Sequence, residues 1–232
     1  MSTARKMTAR MPLDDTEDDV HFTRAAVKAD PDASPLLPMT DDWLALIDAV
    51  RVKDRQARVA EADATAARVV ANFHFDRVCT QFGDDLFLAV GKDRESARWT
   101  QFFPIAVSRF VKMRFDKQIQ KVQGWLAPSV TEPVLDTHRV ALTKWCHAAV
   151  AALGQTSAAS MVRGAAQVAR EQLAEDLTRE RDGLYDALAA IGRNKGLPRD
   201  WPKQFFRVTK RPLSDDEDTT PEPAAPDQAP TG

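Results

Sequence analysis

The sequence predicts an all-α protein, an antiparallel bundle of about four long helices. Three observations lead there. Ala, Leu, Arg, Gln and Glu, which lose little freedom in a helix, are plentiful, while only 9 of 232 residues are Gly. Apolar residues recur at steps of three and four. No segment alternates apolar and polar residues for long enough to need a sheet.

Residues 1–38 carry Pro12, Pro31, Pro35, Pro38 and the acidic run 14–19. So polar a segment has little to bury and is expected to be disordered or loosely attached. The bundle is expected over 39–211. Its first helix opens at Thr40, a capping residue followed by Asp41 and Asp42. Trp43, Ile47 and Val50 make one apolar stripe, and Val59, Ala62, Ala66, Val69 and Phe73 make another. The two differ in phase across a polar segment, 51–58, so a bend near residue 57 is expected, with an end by Gly83 and a short helical piece over 84–90.

The second helix is expected from Pro104, a good first-turn residue, with Val107, Val111, Phe115, Ile119 and Val122 on one face and stops at Gly124 and Pro128. The third is signalled by Thr131, Glu132 and Pro133. It buries Leu135, His138, Leu142, Trp145, Ala149 and Leu153 and ends at Gly154. The fourth starts near Thr156 or Ser157, runs along Val162, Ala166, Ala169, Leu173, Leu177, Leu184, Leu188 and Ile191, and closes at Gly192 and Gly196. Residues 212–232, rich in Pro and Ala and acidic, read as a disordered tail.

One pattern occurs twice. Trp99-Thr100-Gln101-Phe102-Phe103 is answered by Trp201-Pro202-Lys203-Gln204-Phe205-Phe206. The preludes also match: Asp84-Asp85-Leu86-Phe87 and Asp182-Gly183-Leu184-Tyr185. Adjacent Phe residues point about 100° apart on a helix, so one narrow face cannot bury both. The pattern suits a chain crossing the end of a bundle. Trp99, Phe102, Phe103 and Trp201, Phe205, Phe206 are therefore candidate aromatic plugs closing two related helical halves.

Chemistry is sparse. No Glu stands three residues before any of the four His, which argues against a di-iron carboxylate bundle. His74, Cys79, His138 and Cys146 lack the tight spacings of zinc ligands. Phosphate loops, dinucleotide fingerprints and nucleophile elbows are missing. No catalytic residue, metal or cofactor is assigned. Both Cys read as small buried hydrophobes. Arg5, Lys6 and Arg10 are followed by acids rather than by an apolar stretch, so no secretory signal is expected. No run is long and apolar enough to span a membrane, and a cytoplasmic location is expected.

The net charge of −2 conceals a basic middle: residues 39–212 hold 27 basic and 21 acidic side chains, net +6. Arg109, Lys112, Arg114, Lys117 and Lys121 follow the first plug, and Lys203, Arg207, Lys210 and Arg211 surround the second. They form a candidate interaction surface. The leading expectation is a non-enzymatic structural or protein-interaction protein, with a protein partner or a second copy of itself, because one of the two stripes on the first helix is left to seek a partner. The rival is a nucleic-acid binder whose basic core is modulated by the acidic ends. A third class is a small-ligand-binding or enzymatic bundle without a recognisable motif.

Overall fold

The computed structural model describes residues 7–207, and every regular element among them is helical. Six α-helices follow in order: α1 (Leu13–Ala29), α2 (Asp41–Ala89), α3 (Ala97–Phe102), α4 (Val107–Phe110), α5 (Phe115–Trp125) and α6 (Pro133–Lys195). Two 3₁₀ segments, Ser34–Thr40 and Trp201–Phe205, complete the list. The chain divides into two compact units. The larger takes Met7–Glu17 and Asp41–Arg179, and the smaller takes Asp18–Thr40 together with 180–207.

This all-helical architecture is reached with two long helices rather than four. Gly154 does not end a helix, because α6 runs through it for 63 residues. An interior Gly costs only about 1 kcal/mol against Ala, and the surrounding Ala-rich turns offset it. Gly83 likewise lies inside the 49-residue α2, which shows no break near residue 57. The expected second helix is instead two. Arg114 adopts an extended conformation ahead of α5. The fully buried Gln118 donates from Nε2 to the Phe110 carbonyl at 2.9 Å, supplying a bond to the backbone at the break. The interruption lets Phe110 and Phe115 both face the core, which a continuous helix would not. Pro104 stands in the bend before α4 instead of in its first turn. The hydroxyl of Thr40 donates to the Leu37 carbonyl at 2.8 Å.

The described part of segment 1–38 is ordered, contrary to expectation. α1 buries Val20 and Val27 completely. Acids crowd its start and Lys28 its end, the arrangement the helix dipole favours. In the larger unit, Arg51 ties down the stretch before residue 18 by binding Asp14 at 2.7 Å and Glu17 at 2.6 Å.

Within the larger unit α2 and α6 run antiparallel. Asp85 meets His138, His74 stacks on Trp145, Glu61 binds Arg163 and Asp54 binds Arg170, so numbers rise on one helix as they fall on the other. The seam repeats every seven residues. On α2 it buries Trp43, Val50, Ala57, Ala64, Ala71 and Val78, and on α6 Ala152, Ala159, Ala166 and Leu173. The centre of this seam is therefore alanine on both helices.

Toward the far end of α2 the packing thickens. Phe82 touches Phe102, Phe103 and Trp125, while Trp125 stacks on Phe110 with centroids 5.0 Å apart. Glu132, at the start of α6, accepts from the Val134 amide at 3.2 Å and from Arg98 at 2.6 Å. The Arg98 guanidinium holds this carboxyl below its ordinary pKa.

In the smaller unit, Asp19 and Arg181 are both buried with charged atoms 3.8 Å apart, and Arg181 lies 5.3 Å from the centre of the Phe206 ring.

Candidate interaction surface

The sequence marks the two Trp and Gln-Phe-Phe segments, and each lies in a different unit. The first follows α2, which ends as Lys92 N–H bonds the Phe87 carbonyl and Gly91 N–H bonds that of Leu88. The second follows α6, where Leu197 bonds Gly192 and Gly196 bonds Arg193 in the same pattern. Gly91 (φ 67°) and Gly196 (φ 66°) supply the left-handed residue this termination needs.

Each short helix then stops at its second Phe. Phe103 has φ −122° and Phe206 φ −121°, and the turn out of helix brings both neighbouring rings inside. Phe102, Phe103, Phe205 and Phe206 are all at most 3% exposed. Trp99 is buried, whereas Trp201 is half-buried and donates from its indole to Asp30 at 3.2 Å. The second copy has one more spacer residue and includes Pro202, and it forms a 3₁₀ turn where the first is α-helical. Buried rings of this kind hold the ends together and present no surface to a partner.

The basic candidates separate. Arg109, Lys112, Arg114, Lys117 and Lys121 are exposed along α4, α5 and the turn between them. Among them Arg114 is paired with Asp116 at 3.2 Å. In the smaller unit Lys203 binds Asp200 at 2.6 Å, and Arg207 lies 3.8 Å from both Asp18 and Asp19. Lys210 and Arg211 lie outside the described residues.

His74, His138 and both cysteines are engaged within the fold. His138 is 2.7 Å from Asp85, and His74 stacks on Trp145 at 4.1 Å. Both Cys are free thiols, pushed up in pKa chiefly by burial. Among the described residues no group of three His, Cys, Asp or Glu could hold a metal ion, and no helix is long and apolar enough to cross a membrane.

The surface that stands out was only half legible in the sequence. The stripe Val59, Ala62, Ala66, Val69 and Phe73, one of the two between which the sequence left the partner-seeking face open, is exposed along its whole length. Val59 is 54% exposed, and Val69 and Phe73 are both 63%. Each seam alanine of α2 is followed two positions later by a stripe residue: Ala57 by Val59, Ala64 by Ala66, Ala71 by Phe73. Two positions turn the helix by about 200°, so the stripe lies on the back of α2, away from the seam. α6 does the same: Gly154, Met161 and Val168 follow Ala152, Ala159 and Ala166, and all three are exposed.

An open groove of about 780 Å³ runs beside the α2 stripe, with Val69, Phe73, Asn72, Asp76 and Thr80 in its wall. Burial raises the pKa of Asp76, against the lowering effect of hydrogen bonds from Gln118 and Asn72. No protein-family model, no curated protein and no solved structure matches this chain.

Proposed function

We propose that the protein is a non-enzymatic helical scaffold that works by self-association, laying the back of α2 from one copy along the back of α6 from the next. The observation that carries this reading is the exposed stripe from Val52 through Val59, Ala66, Val69 to Phe73, which spans 22 residues, about 32 Å of helix. Scattered apolar residues on a surface are ordinary, but an aligned row of this length marks a docking face.

The two backs are complementary in shape. α2 offers Val59, Val69 and Phe73, and α6 offers small Ala151, Gly154, Ala158, Gly164 and Ala165 among the bulkier exposed Met161 and Val168. In the antiparallel register of the internal pair, Val59 falls opposite Ala165, Val69 near Gly154 and Phe73 opposite Ala151. They are complementary in charge too. Lys53 flanks the α2 stripe and falls beside Glu171 of α6. Because the two faces belong to opposite sides of one helix pair, the contact is head-to-tail and adds copies side by side.

Sedimentation velocity across the micromolar range tests this. Dimers and larger species are expected, and the double substitution Val69→Ser, Phe73→Ser should return the chain to monomer. A wild-type chain that stays monomeric throughout, or a double variant that assembles like wild type, sinks the reading.

A further inference from the structure

A second feature of the larger unit has no part in self-association. Where the segment 7–17 passes α2 and α6, a cleft of about 520 Å³ is lined by Arg10, Arg51, Arg55, Arg58 and Arg170, with Asp14 and Asp54 the only carboxylates. A smaller recess of about 200 Å³ shares Asp54, Arg58 and Arg170 and adds Arg163. Arg51, Arg55 and Arg58 sit at i, i+4 and i+7, one face of α2.

Acids compensate only part of this charge. Arg51 is held by Asp14 and Glu17, Arg170 by Asp54 and Arg163 by Glu61. Arg10, Arg55 and Arg58 have no acidic partner among the described residues. The paired arginines therefore act as walls of fixed geometry, and three uncompensated guanidiniums share one concavity. Like charges gathered around a cleft repel unless an anion joins them, and guanidinium forks match phosphate oxygens two at a time.

We infer that this cleft binds a compact, multiply charged phosphate group, of the size and charge of an inorganic or nucleotide di- or triphosphate. The arginines reach it from three separate segments of chain, at positions 10, 51–58 and 170. A long nucleic-acid backbone would instead call for cations spread along a track, as on α4 and α5.

The probe is inorganic tripolyphosphate, titrated calorimetrically into the full chain at low salt. One-to-one binding in the micromolar range is expected. The double substitution Arg10→Ala, Arg58→Ala should weaken it by about tenfold or more, with helix content by circular dichroism unchanged because neither residue has an acidic partner. Arg109→Ala with Lys112→Ala should leave it unaffected. The monomeric Val69→Ser, Phe73→Ser chain should bind as wild type does, so this test and that of self-association fail separately. The proposal is overturned by an absence of binding, or by binding that survives loss of Arg10 and Arg58. It is equally overturned if a single-stranded oligonucleotide binds and tripolyphosphate fails to displace it.

Discussion

Two stretches of the same helix pair are built differently. Around Phe82, α2 and α6 are covered by α3, α4 and α5, and rings fill the space: Phe102, Phe103, Phe110 and Trp125 all lie within 6 Å of another ring in the group. Around Ala64, only alanines fill the seam, and large apolar side chains point outward. Aromatic side chains bury area generously, so the first stretch holds itself together. An alanine seam buries little, and exposed flanking pairs such as Glu61 with Arg163 add little more, so this stretch contributes less to stability. The thinner stretch is also where the unpartnered stripe lies. Under the self-association proposed above, the covered end serves as scaffold and the bare stretch is the part that meets another copy.

The largest test of that contrast is Phe82→Ala. Phe82 is fully buried at the centre of the ring cluster, so its removal should cost about 3–5 kcal/mol in urea unfolding. A loss below about 1 kcal/mol would mean the cluster is looser than its burial indicates.

A glycine pair sharpens it further. A Cβ on Gly83 would lie 2.6 Å from Val107 Cγ2 and 3.3 Å from the Phe103 ring, so Gly83→Ala should destabilise by about 1–3 kcal/mol despite its better helix propensity. A Cβ on Gly154, in the bare stretch, meets nothing within 4 Å, and Gly154→Ala should stabilise by about 0.5–1 kcal/mol. Equal signs for the two substitutions would break the distinction between the covered and the bare stretch.

The smallest effect concerns pH at the boundary between the stretches. Asp76 has its pKa raised, first by burial, so it stabilises the fold while protonated. That contribution is full below the ordinary carboxylate range and is lost as pH rises through the raised value. Relative to Asp76→Asn, wild-type stability should therefore fall as pH goes from about 4 to about 7. A difference that grows over this interval would reverse the sign assigned to burial.

Much of the architecture is legible in the residues. Helix-favouring composition and steps of three and four lead to the all-helical class. The repeated Trp and Gln-Phe-Phe segments locate two places where rings are buried. Helix ends were less legible, because Gly154 and Gly83 look like stops and each is an interior residue at tolerable cost. The α2 seam was missed for a related reason. Large apolar residues drew the second stripe, while Ala57, Ala64 and Ala71 keep the phase of Trp43 and Val50. Alanine is the commonest helix former and marks no face by itself. The arginine cleft was illegible because its members come from positions 10, 51–58 and 170, and nothing local links them.

What the sequence determined by itself is local: helical class, the aromatic segments, and Gly196 at the end of α6. Local preference and side-chain size act over a few residues, so they can be read in order along the chain. Only the tertiary structure decided which of two apolar stripes on α2 faces inward. Both have helical period and both could be buried. The alanine stripe is inside because α6 presents alanines at the same seven-residue spacing, so small side chains meet small ones in the seam and valine and phenylalanine are left on the outer side.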